Sequence, residues 1–318
     1  MVFRKRLVMI SSLFTGYYLF KNRYLDTDKR GLKISFYRLL PLRSLSQIWG
    51  KINSLNLYPC IRKPLLSAYI NFYNVKLQEA VNCNLEFYES ISHFFERDIH
   101  SYLRPVCTDF DLISPCDGKI THCGQIDVIE TNIDAKGFKC SLNSLIGKDI
   151  VEKYNLKSKR LYYITIYLDP GDYHGIHSPA TWKILERRHI PGELFSVHPK
   201  VTNLMPKIFS LNERAVYVGS YSQGFMGLVA IGATCVGSIT VYGDKKLKTN
   251  VKTQNPNSAP IDELFNSENI IMQRIGEKFG HFSLGSSIVL LFESKEDVAF
   301  NPAFETNKIN YGQSFLLK

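Results

Sequence analysis

Two stretches of this chain bring together residue types that can do chemistry. Leu284-Gly285-Ser286-Ser287 stands directly before the apolar run Ile288 to Phe292, and His174 and His177 sit three apart in Tyr173-His174-Gly175-Ile176-His177-Ser178-Pro179. Asp117, in Ser114-Pro115-Cys116-Asp117-Gly118, and Asp169 and Asp172 around Pro170-Gly171 supply carboxylates. A hydroxyl, an imidazole and a carboxylate are the parts of an activated nucleophile, in which a base takes the hydroxyl proton and an acid supports the base. Each part also has a plainer account. Asp-Gly and Pro-Gly steps form turns, and Gly-Ser-Ser before a β-prone run is a turn into a core strand. The histidines could instead bind a metal, although no third ligand at suitable spacing lies nearby, or act as two separate proton handlers. Residue types alone leave these readings open.

The elements that would have to position these groups fall into two textures. From Asp111 onward the chain is built of short β-prone runs divided by turns. The expected strands are Gly118 to Thr121, Leu161 to Leu168, Ala215 to Val218, Phe225 to Ile231, Gly237 to Tyr242 and Ile288 to Phe292. Phe225 to Tyr242 is long and apolar, but Gly227, Gly232 and Gly237 favour two buried strands and a tight connection over a membrane span. Asn250 to Ser267, polar with Pro256 and Pro260, reads as a surface loop. Upstream, Arg30 to Cys107 reads as helical and amphipathic, with helices expected over Leu39 to Gly50, over Leu65 to Asn82 behind Pro64, and over Ile91 to His100. Their aromatic residues, mixed with Lys and Arg, suit either packing on a core or a helix lying in a membrane interface. The expected class is α+β: N-terminal amphipathic helices followed by a mostly antiparallel, β-rich core. The division is a targeting or anchor segment over 1–30, a helical docking region over 31–110 and the core over 111–318.

The 318 residues suffice for one large domain with appendages, and the net charge of +10 suggests an anionic partner. The basic residues are scattered and form no nucleic-acid-binding signature, so an acidic membrane surface is the better candidate. The 7 cysteines are odd in number and unpaired in spacing, which argues against a disulfide framework or a structural zinc site. Arg4, Lys5 and Arg6 precede an apolar stretch, Leu7 to Phe20, and no acid appears before Asp26. A spanning helix needs roughly 20 residues, so this stretch fits either a targeting sequence or a short anchor.

Taken in order along the chain, several segments resemble the phosphatidylserine decarboxylases, specifically their mitochondrial branch. The resemblance rests on the Leu39 to Ser46 region, Ser114 to Gly118, Tyr173 to Pro179, Pro191 to Val197, Asn212-Glu213-Arg214, Val229 to Ile239 and Leu284 to Ser287. Three positions depart from the family's usual pattern: Ser287 stands where threonine is common, Gly175 where a larger residue is usual, and His198 where asparagine is frequent.

The resemblance implies a self-cleaving proenzyme. Asp117, His177 and Ser286 would form the charge relay that breaks the Gly285-Ser286 bond, leaving Ser286 as a pyruvoyl group. That group would serve as the cofactor, with neither pyridoxal phosphate nor metal, forming a Schiff base with phosphatidylserine and accepting the electrons released with carbon dioxide. His174 would protonate the product centre, and Ser196 and Val197 would line the pocket. Implied partners are phosphatidylserine in a membrane and the chain's own cleavage product, a β chain ending at 285 paired with an α chain over 286–318. A higher oligomer is left open, and nucleic acid is not expected. The implied location is the mitochondrial inner membrane, facing the intermembrane space, with phosphatidylethanolamine as product. The rival reading is a non-catalytic lipid-binding homologue.

Overall fold

Apolar runs in this chain set the order of its main sheet. Leu161–Leu168, Gly224–Ile231 and Ser286–Glu293 are continuous β-formers, and nearly every residue in them is buried. A strand flanked by neighbours and covered on both faces has that texture. The computed structural model describes Tyr37 and residues 40–317 except 127–131, 136–137, 203, 206, 236–237, 252–254, 267–270, 284 and 306. The 1–30 segment expected from the sequence therefore lies outside the described residues. The chain divides into two compact units, 1–41 and 42–318; within the first, the Leu40 amide bonds to the Tyr37 carbonyl. Everything below concerns the second.

The strands are β1 (Gly118–Gln125), β2 (Asn132–Ala135), β3 (Phe138–Ser141), β4 (Leu161–Leu168), β5 (Gly175–His177), β6 (Trp182–Ile190), β7 (Arg214–Tyr221) and β8 (Gly224–Ile231). They continue with β9 (Ile239–Val241), β10 (Ile261–Leu264), β11 (Ile271–Gln273), β12 (Lys278–Phe282), β13 (Ser286–Glu293) and β14 (Lys308–Ile309). The large sheet runs β10-β6-β7-β8-β13-β4-β1-β14, with β11 also on β6; β5-β12-β9 form a second sheet and β2-β3 a hairpin. Every strand pairing is antiparallel. With its N-terminal helices, the fold is α+β with a mostly antiparallel core, as the sequence implies. Ile288, Leu290 and Phe292 of β13 join Ile164 and Ile166 of β4 and Leu228 and Ala230 of β8 in the main core.

Eight strands, β2, β3, β5, β6, β10, β11, β12 and β14, escaped the sequence reading, and two of them are instructive. β6, Trp-Lys-Ile-Leu-Glu-Arg-Arg-His-Ile, looks too charged for a sheet interior, yet its charges are paired. Arg187 binds Asp244, Arg188 binds Asp149 and Asp262, Glu186 takes Lys153, and His189 bonds Glu213. β10 lies inside the Asn250 to Ser267 stretch read as a loop; it is an exposed edge strand whose partner, β6, supplies the ladder.

The helical region is shorter-stepped than expected. α1 (Leu42–Asn53) follows Pro41, and α2 (Pro59–Tyr73) starts at Pro59 rather than after Pro64, ending at Asn74 in the left-handed conformation. Pro64 removes only the bond to the exposed Cys60 carbonyl, which water can replace. α3 (Ile91–Phe95), capped by the Ser90 hydroxyl on the His93 amide, stops five residues before the expected end. The reason is tertiary: Glu96 to Asp98 leave the helix and make contacts with Ser283, Gly171 and Lys278 instead. Among the described residues no helix is long and apolar enough to cross a membrane.

Candidate active site

Ser286 opens β13, the strand held between β4 and β8, with its Cα in register with Leu168. Its side chain is fully buried, and its hydroxyl has no hydrogen-bond partner; the same holds for the Ser287 hydroxyl. Leaving a buried hydroxyl unsatisfied costs free energy, and such a group in a folded protein calls for a functional explanation. Gly285, directly before it, has φ +42°, and a side chain added there would meet nothing within 4 Å. The strand thus begins at a left-handed, uncrowded glycine followed by a buried hydroxyl without a partner.

From Leu168, the register partner of Ser286, the chain turns through Asp169 to Tyr173 and returns as β5. The turn is pinned from several sides. Lys308 Nζ lies 2.8 Å from Asp169 and 2.6 Å from Asp172, the Tyr69 hydroxyl donates to the Pro170 carbonyl at 2.7 Å, and Arg97 Nη2 donates to Gly171 at 2.9 Å. Gly171 has to be glycine because a Cβ there would sit 2.1 Å from the Tyr73 carbonyl oxygen. The turn delivers His174 with Nδ1 3.0 Å from the Asp172 carbonyl and its ring centroid 4.1 Å from that of Phe95. A carbonyl can only accept, so Nδ1 carries the proton and Nε2 the lone pair. Nε2 is buried with no partner, and burial pushes the His174 pKa down to about 3. The Phe282 amide bonds the His174 carbonyl, which ties this histidine to the strand leading into Gly285.

His177 lies on β5 with its backbone amide on the Pro115 carbonyl at 2.7 Å. Its Nδ1 donates to the Gly276 carbonyl at 2.9 Å, and its Nε2 accepts from the Tyr173 hydroxyl at 3.1 Å. Burial lowers its pKa to about 4, so at neutral pH the imidazole is an uncharged base with Nε2 as the basic nitrogen. Gly175 makes this arrangement possible: a Cβ there would come within 2.1 Å of the Tyr173 hydroxyl. The departure at Gly175 thus opens the space that the Tyr173 hydroxyl occupies.

Asp117 is buried at the mouth of β1. It accepts two bonds at 3.2 Å from Arg104 Nε and one at 2.7 Å from Nη2, and a fourth at 2.8 Å from the Tyr311 amide. Arg104 in turn reaches Glu79 at 2.6 Å, and these carboxylates raise its pKa further. Asp117 and His177 share no hydrogen bond. They meet through Tyr311, whose amide holds the acid and whose ring stacks on the imidazole at 3.7 Å and 5°.

The Pro191 to Val197 loop is fastened by Asn212. Its amide nitrogen donates to the Phe195 and Gly232 carbonyls at 2.7 and 2.8 Å, and its oxygen accepts the Phe195 amide at 3.0 Å. Val197 is buried, Ser196 accepts the His198 amide, and the His198 ring meets Tyr167 edge-on at 5.6 Å. Tyr167 is the register partner of Ser287, so this loop borders the same end of the sheet.

Sequence reasoning missed Arg104, Tyr311, Tyr173 and the strap Phe95-Glu96-Arg97-Asp98. The strap places Phe95 on His174, Glu96 on the Ser283 hydroxyl and Asp98 on Lys278. Tyr173 stood beside the paired histidines with no role read for it, and the others lie in no motif with chemistry of its own. Among the described residues no group of three or more His, Cys, Asp or Glu is placed to hold a metal.

The profile of the family described as phosphatidylserine decarboxylase matches residues 91–317. The chain belongs to the phosphatidylserine decarboxylase family. It is accordingly an enzyme of the carboxy-lyase class. Among its relatives, the mitochondrial phosphatidylserine decarboxylase proenzyme of Pongo abelii is 36% identical over 326 residues, covering 92% of this chain and 78% of that protein. The mitochondrial proenzyme of Cricetulus griseus is 37% identical over 302 residues, covering 89% and 73%. The mitochondrial proenzyme 1 of Candida albicans is 29% identical over 407 residues, covering 87% and 69%. The family match begins at Ile91, the first residue of α3, and so takes in the strap and Arg104 with the strands.

Proposed function

We propose that the chain is a proenzyme that cuts itself between Gly285 and Ser286 and then converts phosphatidylserine to phosphatidylethanolamine and carbon dioxide. The observation that carries this reading is the buried, unpartnered Ser286 hydroxyl behind a left-handed glycine. In the self-cleavage step His177 Nε2 takes the Ser286 proton, and Oγ attacks the Gly285 carbonyl carbon. The amide C–N bond breaks, the nitrogen takes up a proton, and an ester joins Gly285 to Ser286. Loss of the Ser286 α-proton then expels Gly285 as a carboxylate and leaves dehydroalanine. Its enamine tautomerises and adds water, releasing ammonia and leaving a ketone at residue 286. The site fits that outcome, since elimination carries the unsatisfied Oγ away with Gly285 and turns the buried Ser286 side chain into a methyl group, which needs no hydrogen-bond partner.

A pyruvoyl group at residue 286 would supply a carbonyl for the lipid's amine and an electron sink for the departing carboxylate. The chain's own residues handle the protons. His174 Nε2, buried and without a partner, is the nitrogen that delivers a proton to the α-carbon after the carboxylate has left. Phe95 and the Asp172 carbonyl fix the ring. Ser196 and Val197 border the substrate.

Docking on the membrane falls to the helical region. Leu45, Ile48, Leu55, Tyr58, Phe72, Phe87 and Tyr102 are large apolar or aromatic side chains left exposed there, which suits insertion into a lipid interface. The relatives are named mitochondrial, and the basic, acid-free start of the chain suits the same address, with the catalytic part on the intermembrane-space side of the inner membrane. The β and α chains stay together because β13 is hydrogen-bonded on both sides.

Intact-mass measurement tests the reading. The purified protein is expected as two chains, the smaller being residues 286–318 with a blocked, pyruvoyl N-terminus. Ser286→Ala should remain uncut and release no carbon dioxide from phosphatidylserine vesicles. A wild-type chain that stays whole but binds those vesicles would make it the non-catalytic lipid-binding homologue instead.

A further inference from the structure

Self-cleavage as proposed needs Asp117 and His177 to work as a pair, yet no hydrogen bond joins them. The Asp117 carboxylate is occupied by Arg104, and both ring nitrogens of His177 are committed elsewhere. One residue touches both. We propose that Tyr311, in the segment that becomes the α chain, is the positioning residue that couples the acid to the base, so that the cleavage apparatus is complete only when residues 310–313 have docked. This inference rests on the self-processing reading above.

Tyr311 is almost fully buried and clusters with Ile99 and Tyr173. Its amide donates to Asp117 and its ring lies flat on the imidazole, so the two groups are held at the distance that one residue spans. An aromatic face at that separation fixes the ring plane of His177, and with it the direction of Nε2, and keeps water off that face. The segment is not free to drift. Gly312 exchanges bonds with its neighbours, its amide on the Ser114 carbonyl at 3.1 Å and its carbonyl on the Cys107 amide at 2.8 Å, while the Ser114 amide bonds the Gln313 carbonyl at 2.8 Å. At φ +87°, with a Cβ only 2.9 Å from the Pro105 carbonyl oxygen, position 312 admits glycine alone without strain. β14 continues the attachment by pairing Ile309 with Gly118, the residue after Asp117. The tail is therefore stitched to the same stretch, 104–118, that carries Arg104 and Asp117.

The charged and titratable groups around His177 are Lys278 with its partner Asp98, Asp117 with Arg104, and the phenols of Tyr173 and Tyr311. Removing the Tyr311 ring leaves all the others in place and admits water, which moves the imidazole back toward its ordinary titration range.

The test compares Tyr311→Phe, Tyr311→Leu and wild type, made as fresh full-length chains, by following conversion to two chains from pH 4 to 8. Phenylalanine keeps the stack and should cut at the wild-type rate. Leucine is smaller and has no flat face, so it leaves room for water over the imidazole; its cleavage should slow by about 3- to 10-fold, the range an aromatic pair supports, with the acid limb moving to higher pH. In the uncut Ser286→Ala background, Tyr311→Leu should raise the His177 titration midpoint seen by NMR, a readout that loss of stability alone does not move. Wild-type rate and pH profile in Tyr311→Leu, or an unmoved midpoint, would overturn the assignment. A wild-type chain that never cuts would instead remove the self-processing reading beneath it.

Discussion

Replacing Gly285 with alanine isolates one physical quantity, the backbone conformation at the proposed scissile bond. The position has φ +42°, and an added Cβ would meet no atom within 4 Å, so no clash contributes. What remains is the left-handed penalty for an L-residue, about 1–2 kcal/mol, partly offset by about 0.4–1 kcal/mol from the lower entropy of the unfolded alanine chain. Gly285→Ala, measured by urea unfolding in the uncut Ser286→Ala background, should therefore lose about 0–1.6 kcal/mol of stability. The rate responds only to the difference in that penalty between the resting and attacking conformers, so cleavage in the Ser286 background should keep its half-time within about threefold if attack proceeds from the same positive φ. Half-times of chain conversion on gels give that number directly. A loss beyond about a thousandfold with the fold intact would mean that attack on the Gly285 carbonyl itself requires a bare Cα. A half-time shortened by about 5-fold or more would mean that the reactive conformer gives up the positive φ, and the conformational argument would fail.

Two further outcomes follow from the histidines. His174→Ala should leave self-cleavage intact while phosphatidylserine turnover falls by at least about a hundredfold, the scale of a lost general acid–base group; unchanged carbon dioxide release would remove its role. Acid should also destabilise the uncut chain. Burial holds His177 near 4 and His174 near 3, below the ordinary imidazole value, so the unfolded state binds more protons as pH falls through that window. The stability is fully present above about pH 7 and is lost progressively below about 6.5, by roughly 2 kcal/mol per histidine at pH 5. A urea midpoint unchanged between pH 7.5 and 5 would contradict that burial.

The parts of the site that could be read from the chain are those marked locally. β4, β8 and β13 announce themselves as apolar runs, and Gly285, Ser286, His174 and His177 stand out by residue type and turn chemistry. What stayed hidden depends on partners far away in sequence. Arg104 looks like any basic residue until Asp117 and Glu79 close on it, and Tyr311 looks like a loop aromatic until His177 slides beneath it. β6 was missed because a pattern of apolar positions cannot distinguish charges facing water from charges paired in the interior. α3 was extended too far for a similar reason: its helical spacing continues through Arg97, but the strap has other contacts to make.

If the chain cuts itself as proposed, the central place of β13 gives the mature enzyme a history. Before cleavage, the strand reaches its slot as part of one continuous chain, a unimolecular folding problem. After cleavage at its first residue, the same slot could be refilled only by a short free peptide finding its way between β4 and β8, matching both ladders at once. Chain connectivity is then gone while every native contact remains, so the cleaved protein keeps its structure through slow unfolding more than through reversible equilibrium. Heat or urea should undo it once, and cooling should not restore it, whereas the uncut Ser286→Ala chain retains the covalent route home.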